Sequence, residues 1–485
     1  MIFVIKLFPE ITIKSAPVRK RMSRQLTENL RLILKRFDAS AKVRQDWDKL
    51  EVSVEGEETS KVQAVANVLS CIPGIANFAR VRVFPLGDLQ DIFEHTLDAW
   101  KDALTGKTFC VRVKRNGRHP FSSTDVERYV GGGLNEHTQA AGVQLRNSDV
   151  VVKLEVREET LYVVERTYPG LGGFPLGCNE SVLSLMSGGF DSTVASYQCI
   201  KRGLRTHYLF FNLGGPAHEL GVKEIAYYLW NRFGSSHRVK FISVPFDEVV
   251  KEILERVDPS CMGVILKRMM LRAGSRIAQR AEVSTLVTGE AVAQVSSQTL
   301  TNLSIIDRAT DTLVLRPLAL MDKGAIIDQC RAIGAEEFAA NIPEYCGVIS
   351  VRPSAHLRLH KVEAQEALMD MDVLDRALER THVQTIDAVM ADVARGLPAV
   401  DEVAQVGSNQ MVIDIRHPNE RELRPLAFSV NQVIEIPFYS LNGQFASLAK
   451  DKQYLLYCDK GVMSQLHAAH LQDEGYTNIG VFRPK

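Results

Sequence analysis

Three features are missing from this 485-residue sequence, and each absence narrows its chemistry. No run approaches the ~18 consecutive apolar residues that a membrane-spanning helix needs, so no membrane partner is expected. The start, Met1-Ile2-Phe3-Val4-Ile5-Lys6, alternates like a strand and runs straight into charged sequence. It lacks the basic start, apolar core and small-residue cleavage site of a secretory signal, and a cytoplasmic protein is expected. The eight cysteines, at 71, 110, 178, 199, 261, 330, 346 and 458, form no C-x-x-C pair. Zinc sites draw on such paired ligands, so zinc is not expected, nor is haem or flavin. In a reducing compartment most of these thiols should be buried and inert.

Net charge is missing too, with 58 basic and 58 acidic residues. That balance hides a polarity along the chain. Residues 1–50 hold twelve Lys/Arg and five Asp/Glu, whereas residues 363–425 hold six and thirteen. A basic front end is compatible with a polyanionic partner, although charge alone favours a solvated surface.

At roughly 100–200 residues per domain, the length predicts three or four domains. Phe3–Lys14 reads as a strand-turn-strand broken at Pro9. Arg19–Arg36 has helical spacing, with Leu26, Leu30, Ile33 and Leu34 as its apolar stripe. Thr108–Lys114 reads as a strand, Ser123–Ala141 as a helix interrupted at Gly131-Gly132-Gly133, and Val150–Val156 with Thr160–Glu165 as a hairpin. A breaker-rich linker, Pro169–Pro175, follows. Beyond it, apolar strands at Val182–Met186, Thr206–Asn212, Lys240–Pro245 and Thr285–Gly289 alternate with helices, the pattern of a doubly wound parallel sheet. Ala355–Arg395 reads as helical and Gly396–Gln410 as a second linker. The remainder alternates again: strands Met411–Ile415, Val433–Ile436, Tyr454–Tyr457 and Asn478–Val481, with a helix at Met463–Glu474.

The strongest motif is Ser187-Gly188-Gly189-Phe190-Asp191-Ser192, between an apolar strand and a helix-compatible run. A glycine-rich turn there presents backbone N–H groups at a helix N-terminus, a ready anion site. Ser187 and Ser192 add hydroxyl donors. Asp191 suits phosphate only through a cation, so it is assigned to magnesium. No lysine follows the glycines, so this is not a Walker A loop. The pattern resembles the PP-loop of enzymes that cleave ATP to AMP and pyrophosphate. Arg268, Arg272, Arg276 and Arg280 recur at i, i+4 spacing with no acid between Gly263 and Ala281. Such a stripe repels itself unless something anionic faces it, and phosphates of ATP or RNA are the expectation.

A second motif, Cys458-Asp459-Lys460-Gly461-Val462-Met463-Ser464, lies between an apolar strand and a helix. Converging N–H groups and the helix N-terminus would lower the thiol pKa and favour thiolate or persulfide. Asp414-Ile415-Arg416 is placed to brace that loop. The arrangement resembles a rhodanese loop, C-x-x-G-x-x-S, without that fold's usual histidine segment near Val430–Pro437. Cys346, in Pro343-Glu344-Tyr345-Cys346-Gly347, sits among turn formers, and its spacing assigns no partner.

Together with Lys6–Lys14, Phe109–Arg115, Phe211–Gly215, Val295–Leu300 and Glu344–Gly347, these motifs make the whole chain resemble the bacterial tRNA 4-thiouridine synthetase family. The resemblance implies a multidomain α/β and α+β chain. Its units would be a ferredoxin-like N-terminal domain (1–60), a THUMP RNA-binding domain (61–167), a doubly wound parallel-sheet PP-loop domain forming AMP (175–396), and a C-terminal rhodanese-like domain (405–485). It further implies an ATP site with Leu185, Met186, Ser187, Gly188, Gly189, Ser192, Lys267, Gly289 and Gln298, and catalytic roles for Asp191, Lys323, Cys458 and Cys346. A cysteine desulfurase would load Cys458, the PP-loop would adenylate a tRNA uridine (position eight in the family), and turnover would leave a Cys346–Cys458 disulfide for a reductant. The same resemblance implies sulfur delivery to the thiamine thiazole through a sulfur-carrier protein, and leaves a homodimer open. Two other readings remain: a PP-loop ligase acting on a small molecule, and an RNA-binding sulfur carrier with a dead nucleotide site.

Overall fold

A computed structural model describes residues 1–46, 49–213, 215–342, 352–389 and 400–484, the last stretch without 408, 417, 419–420, 422–423, 425, 427–432 and 460. The chain divides into two compact units, Met1–Pro175 and Leu176–Lys485. No helix among the described residues is long and apolar enough to cross a membrane.

The first unit begins with β1 (Ile2–Leu7), α1 (Pro9–Thr12), α2 (Ala16–Phe37), β2 (Lys42–Asp46), β3 (Lys49–Ser53), α3 (Thr59–Ser70) and β4 (Ile75–Pro85). It continues through α4 (Leu89–Trp100), β5 (Thr108–Asn116), α5 (Ser123–His137), β6 (Gly142–Val143), β7 (Val150–Arg157) and β8 (Thr160–Pro169). One eight-stranded sheet, β2-β3-β1-β4-β8-β7-β5-β6, carries them all. Its splice is β4, eleven residues long, which pairs antiparallel with both β1 and β8. On α2, Leu26, Leu30 and Leu34 are fully buried, as the apolar stripe predicts. Two local expectations fail. Pro9 opens a short helix instead of breaking a strand pair, because proline at N1 lacks only an N–H that has no helical partner anyway. The triple glycine does not interrupt α5. A Cβ on Gly133 would lie 2.5 Å from the Phe93 ring, so the glycine admits a close helix–helix approach.

In the second unit come β9 (Ser181–Leu185), α6 (Phe190–Lys201), β10 (Arg205–Asn212), α7 (Gly215–Leu229), β11 (Lys240–Pro245), α8 (Asp247–Arg256), α9 (Met262–Arg280) and β12 (Thr285–Val287). Then follow α10 (Leu300–Asp307), β13 (Leu313–Leu315), α11 (Lys323–Ala332), α12 (Glu336–Ala340), α13 (Leu359–Glu366), α14 (Asp372–Glu379) and β14 (His382–Thr385). The sheet order is β13-β12-β9-β10-β11-β14, parallel except for β14. The described part of the stretch read as helical over Ala355–Arg395 is two short helices and an antiparallel edge strand, and residues 390–395 lie outside the described residues. The chain leaves β9 in one direction toward β11 and later places β12 on the other side of β9. That reversal opens a crevice at the carboxyl end of β9, the usual ligand position in such sheets.

The terminal portion is a second parallel sheet, with β15 (Glu402–Val403), β16 (Gln410–Asp414), β17 (Val433–Glu435), α15 (Phe438–Phe445), β18 (Gln453–Tyr457), α16 (Val462–Asp473) and β19 (Ile479–Phe482). Its order, β15-β19-β18-β16-β17, reverses between β16 and β18. Within this second unit, Phe438 meets Phe338 of α12 edge-on at 5.0 Å, and His467 Nε2 lies 3.0 Å from Glu224 of α7.

Candidate active site

The Ser187-Gly188-Gly189 turn sits at the first crevice. Gly188 has φ +86°, and a Cβ there would run into Ile342 and Val222, so only glycine fits. No side chain caps α6 at Gly189, which leaves its first-turn N–H groups facing the turn. Ser187 Oγ and Ser192 Oγ lie 3.1 Å apart, and Ser187 N donates to Ser192 Oγ. Leu185 ends β9, and Met186 extends it through its N–H to the Leu209 carbonyl. Charge, hydroxyls and open N–H groups at one helix end make a cradle for an anion.

The segment after β12 closes over that cradle. Gly289 packs so tightly that a Cβ would lie 2.5 Å from Asp191 C and 2.6 Å from Ser192 N. Asp191 Oδ2 accepts from Gln294 Nε2 at 2.9 Å, and Oδ1 accepts from Lys323 Nζ at 2.8 Å. Lys323 opens α11, which Asp322 caps. Gln298 is buried, and its side-chain oxygen has no hydrogen-bond partner among the described residues. An orphaned buried acceptor is costly unless a ligand or water completes it.

Lys267 enters from α9, and its Nζ lies 2.7 Å from Glu290 Oε1. Glu290, one residue past Gly289, also accepts from Arg316 Nε at 2.8 Å and from Thr288 Oγ1 at 3.1 Å. Burial pushes its carboxyl up, but Lys267 and Arg316 outweigh burial and hold it below the usual carboxylate value. Sequence reading missed Glu290, Arg316 and Gln294; the one signal available was an acid directly after Gly289 at the end of a buried strand.

Three of the four arginines of the α9 stripe, Arg268, Arg272 and Arg276, face carboxylates of the protein itself. Arg268 Nε and Nη2 bond both oxygens of Glu366 at 2.5 and 3.0 Å, and Arg272 Nη2 reaches the same carboxylate at 2.8 Å. Arg276 pairs with Asp375. The anionic face that the stripe demands is supplied by α13 and α14, acids about 100 residues downstream. An open cleft of about 830 Å³ beside Arg272 and Arg276 lies along this paired region, not at the Ser187–Ser192 turn.

Cys458 follows β18 at the second crevice. Ser464 N donates to its Sγ at 3.4 Å, and Gly461 turns the loop at φ +75°. The expected brace is present: Arg416 bonds both Asp414 oxygens and reaches Asp459 at 2.8 Å. The expected lowered thiol pKa is not. Burial pushes the Cys458 thiol up, and bonds from Ser464, Met463 and Gly461 offset only part of that. Ser464 is fully buried. Cys346, expected as the redox partner of Cys458, lies outside the described residues.

The family model described as "Thiamine biosynthesis protein (ThiI)" matches residues 177–371, the THUMP domain model 87–164, the ThiI ferredoxin-like domain model 2–79, and the rhodanese-like domain model 400–483. A tRNA sulfurtransferase of Saccharophagus degradans is 59% identical over 484 residues, covering 100% of both chains. The chain belongs to the tRNA sulfurtransferase family. A second relative, from Shewanella halifaxensis, carries the same name at 54% identity, again over 100% of both chains. Among solved structures, a 4-thiouridine synthetase–RNA complex with bound ATP has a TM-score of 0.70 at 24% identity, covering 79% of this chain and 99% of that one. The fold is therefore ferredoxin-like, THUMP, PP-loop and rhodanese in order, and the chain is an enzyme of the tRNA sulfurtransferase family.

Proposed function

We propose that this enzyme adenylates a tRNA uridine with ATP and replaces its O4 with sulfur carried on Cys458, giving 4-thiouridine. The observation that carries the reading is the Asp191–Lys323 pair at the uncapped N-terminus of α6, under a Ser187–Ser192 turn shaped for phosphate. Full-length relatives named tRNA sulfurtransferase support the acceptor, and the structural neighbour's bound ATP and RNA support the substrates.

ATP would set its phosphates against the Gly188 and Gly189 N–H groups and the Ser187 and Ser192 hydroxyls, with Leu185, Met186, Gly289 and Gln298 around the nucleoside. The unmet acceptor of Gln298 suits an amino donor there. Asp191 is partly exposed at the turn, so its carboxylate can hold a magnesium ion that phosphate oxygens complete. That ion would offset phosphate charge; Lys267 and Lys323 would do the same from the protein side.

Sulfur delivery begins with a cysteine desulfurase that turns Cys458 into a persulfide. The buried Ser464 hydroxyl gives a polar place beside the added sulfur. The terminal persulfide sulfur then attacks C4 and AMP leaves, after which Cys346 attacks the Cys458–sulfur bond. Alternatively Cys346 attacks first, expelling hydrosulfide as the nucleophile. Both routes leave a Cys346–Cys458 disulfide, and a dithiol reductant reopens it. This cycle belongs in a reducing cytoplasm. The rhodanese-like unit would also serve a thiamine-pathway sulfur-carrier protein, a role supported by the description of the matching family model.

Single-turnover thiolation of unmodified tRNA, with ATP and a desulfurase loading labelled sulfur, tests the scheme. Asp191→Ala and Cys458→Ala should each lose label in the tRNA while the unsubstituted chain incorporates it. Thiolation by Asp191→Ala would remove the turn from the reaction, and thiolation by Cys458→Ala would remove the persulfide relay.

A further inference from the structure

Glu290 is a buried carboxylate with two cationic partners of different character. Arg316 is fixed from two sides: its Nε bonds Glu290 at 2.8 Å, while Nη1 and Nη2 bond Asp307 at 3.2 and 2.5 Å. Its side chain is 12% exposed. Lys267 is 22% exposed and, among the described residues, bonds Glu290 alone. A guanidinium in a two-carboxylate clamp is a rigid fork, whereas an ammonium on a four-carbon stem swings. A buried carboxylate stripped of its only counter-ion is strongly destabilised. With Arg316 and Thr288 in place, Glu290 keeps two donors after Lys267 departs.

We propose that Arg316 is a positioning residue for Lys267: by keeping Glu290 paired, it lets Lys267 leave that carboxylate for the phosphates of ATP. Glu290 is thus a holder that keeps the ammonium beside Gly289 while the crevice is empty, and Arg316 sets how readily the holder lets go. The held-down carboxyl of Glu290 and the raised pKa of Arg316 keep both charged across the neutral range. Without Arg316, Glu290 has Lys267 as its sole cation and competes with ATP for it. This inference rests on the ATP reading above, and the sign of the coupling between the two residues separates it from an ordinary structural role.

The test titrates ATP with magnesium into the full chain calorimetrically, and measures KM and kcat for ATP in tRNA thiolation. Arg316→Gln should weaken ATP binding and raise KM by about tenfold or more, with kcat at saturating ATP changing less. Arg316→Lys, which keeps the charge, should recover most of the affinity. Glu290→Gln should tighten binding by freeing Lys267. Adding Arg316→Gln to Glu290→Gln should then change the affinity less than about threefold, because no carboxylate is left to compete. That last comparison also serves if Arg316→Gln alone fails to fold. A double variant that binds ATP about tenfold or more weaker than Glu290→Gln overturns the proposal. If the unsubstituted chain binds no ATP, the nucleotide reading itself fails, and the inference falls with it.

Discussion

A single methyl group probes the nucleotide turn most directly. At Gly289 the three nearest atoms to an added Cβ, at 2.5 to 2.7 Å, are all backbone atoms of Asp191 and Ser192. No side chain can rotate away, so the first turn of α6 must shift. That shift would carry Asp191 off Lys323 and misplace the phosphate cradle. Overpacking of this kind costs about 1–3 kcal/mol of stability, while a displacement of roughly 1 Å at a reacting centre can cost about a hundredfold in rate. Gly289→Ala is therefore expected to remain folded in a thermal melt and to lose on the order of a hundredfold in single-turnover tRNA thiolation. A near-normal rate would show that the close approach of the two segments is dispensable. At Cys458 the loop geometry follows the sequence expectation and the electrostatics depart from it. The donors converge on its sulfur as the loop pattern implies, yet burial raises its pKa, and burial leaves no mark in a seven-residue motif.

At the scale of elements, strands β9, β10 and β11 were legible because each is a continuous apolar run between breakers, the mark of a strand covered on both faces. β14 escaped because His382-Val383-Gln384-Thr385 has no apolar alternation. The α9 stripe was legible as a charge problem, but its solution lay about 100 residues away in Glu366 and Asp375. Ion pairs of that span have no spacing rule, which is also why Glu290 and Arg316 stayed hidden. The same blindness covers Glu155 of β7, which gathers Lys6 at 3.8 Å, Lys49 at 2.6 Å and Arg157 at 2.7 Å. Burial pushes its carboxyl up, but Arg157 and Lys49 outweigh burial and hold it at about 2. Its folded pKa lies below the unfolded value, so its contribution is complete above about pH 4.5 and drains away as pH falls toward 2. Burial also lowers the Lys49 pKa, which offsets part of that gain. Urea denaturation across that range should show the unsubstituted chain losing stability more steeply than Glu155→Gln; parallel curves would mean that the cluster adds nothing net.

Across the whole molecule, zero net charge conceals a division of labour between the two signs. Several acids of the 363–425 stretch are spent on arginines: Glu366 on Arg268 and Arg272, Asp375 on Arg276, and Asp370 on Arg376. In the first fifty residues Lys6 and Lys49 pair with Glu155 and Arg24 with Glu28, yet a surplus of exposed cations stays on α2. On α2, Lys20, Arg21 and Lys35 are exposed while the opposite face is buried in the core. Free cations, not paired ones, release counterions when a nucleic acid binds, and each phosphate contact contributes about 0.9 to the slope of log affinity against log salt on a duplex. The electrostatic part of tRNA binding should therefore reside in the first unit and not on α9. Lys20→Glu combined with Arg21→Glu is expected to weaken tRNA binding and flatten that slope by about two, whereas Arg276→Ala should leave the slope unchanged. Filter binding of unmodified tRNA over a range of salt concentrations reads both. An equal loss of slope in Arg276→Ala would place α9 against RNA after all, and its pairing with Asp375 would then be a resting contact that RNA displaces.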